Sequence, residues 1–171
     1  VRDYLGYRVE VYYTADDADN RALRYMSPIR SEELVILSDD LISCTGLGGQ
    51  ITYGAGDKIK KASIDAAAVV IRNGSVVKAG LEDAFRVQNG EIRLVDSTAD
   101  GVYETVIIYD FQTIVVNTFN AETGILVDTI DPKTVIDISP LKYVSVFSDS
   151  GAPVGLSAIT KKSVIDLALS E

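Results

Sequence analysis

Apolar and polar residues alternate with a period of two along most of this chain, the pattern of strands that bury one face. Tyr7, Val9, Val11 and Tyr13 point one way, while Arg8, Glu10 and Tyr12 point the other. The polar stretch 15–20 breaks that strand, and Leu23 with Tyr25 starts a return strand, so a hairpin with an acidic tip is expected. Residues 33–37 read as a short buried strand. Ser38-Asp39-Asp40 then reads as a cap leading into one helical turn through Leu41 and Ile42.

Beyond the loop Gly46-Leu47-Gly48-Gly49, residues 50–53 and 58–62 form a hairpin pattern across Gly54-Ala55-Gly56. Residues 67–72 and 75–78 flank Asn73-Gly74, whose two residues favour the tight turn that matches strand twist. Leu81, Ala84 and Phe85 share one helical face, which predicts a short helix over 81–86. Asn89-Gly90 turns the chain into 91–95, and the acidic turn 96–101 leads to the β-branched strands 102–109 and 112–118. Segments 125–128, 134–138, 143–148 and a strand near the C-terminus complete the pattern.

The expected fold is all-β: two small β-barrel or sandwich-like subdomains with one or two short helical turns. A composition change after Ala79 puts the boundary there, giving subdomains 1–79 and 80–171. The uncharged windows Thr105-Val106-Ile107-Ile108-Tyr109 and Thr113-Ile114-Val115-Val116 would aggregate on an exposed edge. They are expected as central strands of the domain's own sheet, the plainer reading, or else covered by a neighbouring module or subunit. The chain opens at Val1 with no initiator Met and ends on an alternating strand pattern, so a piece of a longer protein is expected.

Composition narrows the chemistry. The 171 residues are 47% hydrophobic and 24% charged, which suits a folded core rather than a disordered chain. No apolar run reaches the ~20 residues that span a bilayer as a helix. A net charge of −9 disfavours nucleic acid and anionic membrane as partners. There is no histidine, which removes Ser-His-Asp and Cys-His catalysis and imidazole metal sites. The single cysteine, Cys44, excludes an internal disulfide and reads as a small buried residue.

Three constellations remain. In the turn Asp96-Ser97-Thr98-Ala99-Asp100-Gly101-Val102-Tyr103-Glu104, oxygen side chains fall at positions 1, 3, 5 and 9 with Gly at 6, as in the first half of a Ca²⁺ loop. Asp96, Thr98, Asp100 and Glu104 are therefore the candidate ligands. Thr98 is a weak ligand, and Ile107 stands where a bidentate carboxylate belongs, so an ordinary solvated Asp-Gly turn takes precedence and no cofactor is expected. Asp16, Asp17 and Asp19 form a second cluster with poorer spacing. Asp149-Ser150-Gly151 follows an apolar strand, the arrangement of a pepsin-like or retroviral aspartic protease, whose paired carboxylates need no histidine. Ser148 departs from that pattern, and Asp-Ser-Gly is also a common turn. Tyr12, Tyr13 and Tyr25 form a candidate glycan-binding face, with cross-strand packing as the plainer reading.

The order of features carries a resemblance. Tyr4-Leu5-Gly6-Tyr7-Arg8-Val9-Glu10-Val11-Tyr12-Tyr13, Leu37-Ser38-Asp39-Asp40-Leu41-Ile42 and Val70-Ile71-Arg72-Asn73-Gly74 come first. Asn89-Gly90-Glu91-Ile92-Arg93-Leu94-Val95-Asp96 and Tyr103-Glu104-Thr105-Val106-Ile107-Ile108 follow. Together they resemble strand-rich modules of virion proteins, tail or baseplate, of phages that infect Gram-positive bacteria, and of Firmicute surface-layer-type proteins. The resemblance implies architecture and assembly, with no catalytic residues to carry over. The expected function is a non-enzymatic structural module in a virion or at a bacterial cell surface. Its partners would be other structural subunits or neighbouring modules of the same chain, a homo-oligomer among them. A cell-wall or surface glycan-binding module and an aspartic-type protease centred on Asp149 are the alternatives.

Overall fold

The computed structural model describes residues 4, 6–15, 21–78 and 81–169, without the side chains of residues 15, 21, 81 and 82. The acidic cluster Asp16, Asp17 and Asp19 and the expected boundary at Ala79 lie outside the described residues. The fold is all-β: 53% of the chain is strand and 6% helical, in several sheets that include a half-barrel. Among the described residues no helix is long and apolar enough to cross a membrane.

The strands are β1 (Val9–Ala15), β2 (Arg21–Pro28), β3 (Glu32–Leu37), β4 (Leu41–Cys44), β5 (Gln50–Tyr53), β6 (Lys60–Arg72) and β7 (Ser75–Val76). After the single turn of α1 (Leu81–Ala84) come β8 (Gly90–Asp96), β9 (Val102–Asp110), β10 (Gln112–Asn120) and β11 (Ile125–Asp128). β12 (Val135–Asp137), β13 (Val146–Phe147), β14 (Pro153–Val154) and β15 (Val164–Leu167) complete the list. β1 and β2 form a two-stranded ribbon of their own. The main sheet runs β3-β8-β9-β6-β5-β4, with β7 pairing β6.

β9 and β6 pair in parallel, the other neighbours antiparallel. A strand flanked on both sides and covered on both faces carries a continuous apolar run, and Val106, Ile107 and Ile108 are all buried. The two aggregation-prone windows therefore sit inside sheets, as expected. Ile36, Ile51, Val70, Ile92, Leu94, Val106 and Ile108 make the main core with Phe85. Ile71, Val95 and Ile107 bury the opposite face against Tyr7 and Tyr109.

Two expectations are corrected. The expected strands 58–62 and 67–72 merge into one 13-residue strand, β6, which begins at Lys60. Its pairing with β9 jumps from Ile64–Tyr103 to Val69–Thr105, and the intervening bulge erases the alternation a reader looks for. The Gly46-Leu47-Gly48-Gly49 loop clasps that bulge through Gly48 N–H to Asp65 O (3.3 Å) and Ile64 N–H to Gly49 O (2.9 Å). The chain also does not divide at Ala79, because strands from both sides of it share the main sheet. The compact units are Val1–Phe111 with Ala168–Glu171, and Gln112–Leu167. In the second unit, sheet β12-β11-β10-β15 buries Ile114, Val116 and Leu126.

Within the first unit, the end of β6 is tied to the end of β9 by side chains. Asn73 and Gly74 both have positive φ (47° and 86°), the hairpin turn expected of Asn-Gly. Asn73 then bonds the backbone of Asp110 twice, accepting from its N–H (3.0 Å) and donating to its carbonyl (3.1 Å). Arg72 pairs with the Asp110 carboxylate and donates to the carbonyls of Ala84 (2.5 Å) and Arg86 (3.3 Å). The other Asp110 oxygen accepts from Gln88 N–H (3.0 Å) and Asn89 N–H (3.4 Å).

Removing the Asp110 carboxylate takes a partner from three groups at once, the Arg72 guanidinium and the N–H groups of Gln88 and Asn89, whereas the Asp83–Arg86 pair (3.5 Å) is open to solvent on both sides. Asp110→Ala is expected to lower the unfolding free energy by about 1–3 kcal/mol, and Asp83→Ala by no more than about 0.5 kcal/mol. Urea unfolding of both variants beside the parent measures the difference.

Candidate functional site

The turn between β8 and β9 is built inward from Asp96, whose side chain is only 1% exposed. Its Oδ1 accepts from Thr98 N–H (3.0 Å) and Ala99 N–H (2.6 Å), and its Oδ2 from Gly101 N–H (2.8 Å). Glu104 closes the turn from the returning strand, accepting from Ser97 N–H (2.8 Å) and from the Thr98 hydroxyl (2.7 Å). Asp100 accepts from Val102 N–H (2.9 Å). Ala99 and Gly101 take positive φ (59° and 84°), which this wrapping of backbone around one carboxylate requires.

The carboxylates of Asp96, Asp100 and Glu104 come within 4.8 Å of one another, so the structure gathers the oxygens that the spacing singled out. Thr98 faces the same cluster, but its hydroxyl serves there as a donor to Glu104. The N–H groups on Asp96 do electrostatically what a cation would do. Burial pushes the Asp96 carboxyl up, and the N–H bonds from Gly101, Thr98 and Ala99 outweigh it, leaving it below the usual carboxylate range. Asp128 plays the same part in the second unit, accepting from Ile130 N–H (3.1 Å) and Val115 N–H (3.0 Å). Its carboxyl is lowered, by the Ile130 bond above all.

The tyrosines are split. Tyr12 stands opposite Tyr25 across the ribbon, ring centroids 6.0 Å apart and tilted by 42°, and both are more than half exposed. Tyr13 pairs with Leu23, because the ladder skips Arg24 there. Leu23 and Tyr25, though two apart, thus stand opposite the adjacent residues Tyr13 and Tyr12, whose alternation along β1 puts the two pairs on opposite faces of the ribbon. Asp149 lies exposed at the tip of the β13–β14 hairpin, closed by Ser148 N–H to Ala152 O (2.9 Å) and Gly151 N–H to Ser148 O (2.8 Å). An aspartic protease needs its carboxylate inside a cleft facing a second one; this one is on an open turn.

No family model, curated protein or solved structure matches the chain.

Sequence reading missed one feature altogether. Leu41 and Ile42 continue as strand rather than helix, because the helical turn stops at Asp40. The resulting edge strand borders a cavity of about 530 Å³ lined also by Phe85, Arg86 and Val87. Cys44 is among its lining residues. Burial pushes the Cys44 thiol up against the smaller opposing effect of Gly46 N–H (3.4 Å to Sγ), which keeps it a thiol at neutral pH and a poor nucleophile. The only local signal was the alternation of Leu41, Ser43 and Thr45 against Ile42 and Cys44, too short to stand out.

Asp96 and Asp128 are both depressed in the fold, so their stabilisation is complete above the unfolded carboxyl value of about 4 and is lost as pH falls through and below it. Stability is expected to decline on acidification below about pH 5. Asp96→Asn replaces an acceptor oxygen with a donor and is expected to cost about 1–3 kcal/mol at pH 7. It also flattens the acid limb, since one depressed carboxyl is gone. Denaturant titrations across that pH range read both effects.

Proposed function

We propose that this chain is a non-enzymatic structural module that acts through protein–protein contacts, as in a phage tail or baseplate or a bacterial surface protein. The supporting observation is the β1–β2 ribbon. It is a two-stranded sheet with Val11, Tyr12, Tyr13, Leu23 and Tyr25 about half exposed over its two faces. A lone pair of strands is barely stable in water, and apolar side chains exposed on both sides gain most by insertion between neighbours. The net charge of −9 keeps separate copies soluble until such contacts form.

The contact expected is with further copies of the chain. Sedimentation at increasing concentration is expected to show association of the parent. The double variant Leu23→Ser/Tyr25→Ser, altered once on each face, stays monomeric with its melting temperature within about 2 °C of the parent, as exposed positions imply. A parent that is monomeric at millimolar concentration, or a double variant that associates equally, overturns the reading.

A glycan-binding module is the second reading, favoured by the exposed Tyr12–Tyr25 pair. Its mark is co-sedimentation with purified Gram-positive cell wall that falls at least about fivefold in Tyr25→Ala, the loss of one aromatic contact.

A further inference from the structure

β4 ends the main sheet, and among the described residues it pairs only with β5. Its outer side opens onto the cavity of about 530 Å³, within the range of pockets that hold ligands. Leu41, Cys44, Phe85 and Val87 pack on the main core beneath it, so the floor is apolar. The opposite wall, Phe85 to Val87, is fixed before any ligand arrives. Arg72 holds the carbonyls of Ala84 and Arg86, and Asp110 holds the N–H groups of Gln88 and Asn89 just beyond.

We propose that this groove receives an extended segment of a partner protein as an added strand on β4, with an acidic side chain set against Arg86. Unpaired strand edges recognise extended peptides through main-chain bonds, while pockets beside the edge select alternate side chains. The β4–β5 ladder has an irregular step at Ile42, so the regular part of the free edge is Ser43 and Cys44. An added strand at ~4.8 Å, rising ~3.3 Å per residue, is centred there and needs only about four residues. Among the described residues that line the groove, Arg86 is the one that carries a charge. Its pair with Asp83 is 3.5 Å long with both side chains about 80% exposed, so it yields readily to a better-placed carboxylate. The fixed wall lowers the ordering cost of binding. This inference uses none of the ribbon residues and stands apart from the assembly reading.

The probe is a blocked, dye-labelled hexapeptide, Thr-Val-Glu-Val-Thr-Val, titrated into the full chain by fluorescence anisotropy at about 0.15 M salt, where distant acidic charges are screened. Saturable binding is expected, with slower hydrogen exchange at residues 41–44. A peptide with Lys in place of Glu binds roughly fivefold more weakly, and Arg86→Glu reverses that order, as exchange of one exposed ion pair implies. Two isomers N-methylated along opposite edges separate strand addition from mere apolar contact: one keeps binding and the other loses it. Absence of binding, equal binding of the two isomers, or indifference of Arg86→Glu to peptide charge overturns the proposal. So does a dimer of the chain in which residues 41–44 are already protected and which the peptide merely dissociates, since a second copy would then be the occupant.

Discussion

The first unit depends on one ionic junction, Arg72 with Asp110, reinforced by Asn73. β6 and β9 run parallel, so no tight turn joins them, and their far ends need another tie. Asn73 supplies it by pairing with the Asp110 backbone as a strand residue would. The guanidinium and carboxylate then spend their remaining hydrogen-bonding capacity on the backbone of residues 84–89. The pair is half-buried, with side chains 28% and 21% exposed, so its Coulomb attraction is only partly screened. Its larger effect is geometric, because a segment with one short helical turn is fastened to a sheet from both ends.

The acidic composition looks different once its positions are known. Asp96 and Asp128 are buried and surrounded by N–H donors rather than by cations. Asp137 accepts from Ser139 N–H (2.9 Å) and Asp131 from Lys133 N–H (3.2 Å), so exposed turns use the same device. A strand-rich chain has many reversals, each of which leaves amide hydrogens without partners. Aspartate is short enough to reach them from two or three residues away. Much of the excess of acid over base therefore serves chain reversal, and its solubilising charge comes with it.

Legibility in the sequence followed the range of the interactions. The Asn73-Gly74 hairpin, the β-branched centre of β9 and the acidic turn after β8 are local patterns, and each was readable. The direction of Asp96 was not, because a carboxylate facing amides and one facing solvent have the same neighbours in sequence. The helical turn expected through Leu41 and Ile42 ends before them, because the one that Ser38-Asp39-Asp40 begins lasts a single turn. The parallel β6–β9 pair joins residues about forty apart, and its bulge hid the continuity of β6. The Tyr12, Tyr13 and Tyr25 face failed on simple alternation, since adjacent strand residues cannot share a side. The Arg72–Asp110 tie, across 38 positions, has no local trace at all.

The second unit has a topological property with practical meaning. It starts at Gln112 and stops at Leu167, and these two residues are partners across the β10–β15 ladder. Afterwards the chain rejoins the first unit, where the Leu169 carbonyl accepts from Asn73 (3.0 Å). Points of departure and return thus lie one strand spacing apart, about 5 Å. The 56-residue stretch is in effect a cassette let into its host: a few glycines would bridge Phe111 to Ala168 after its excision, and a foreign domain with adjoining termini would fit the same slot.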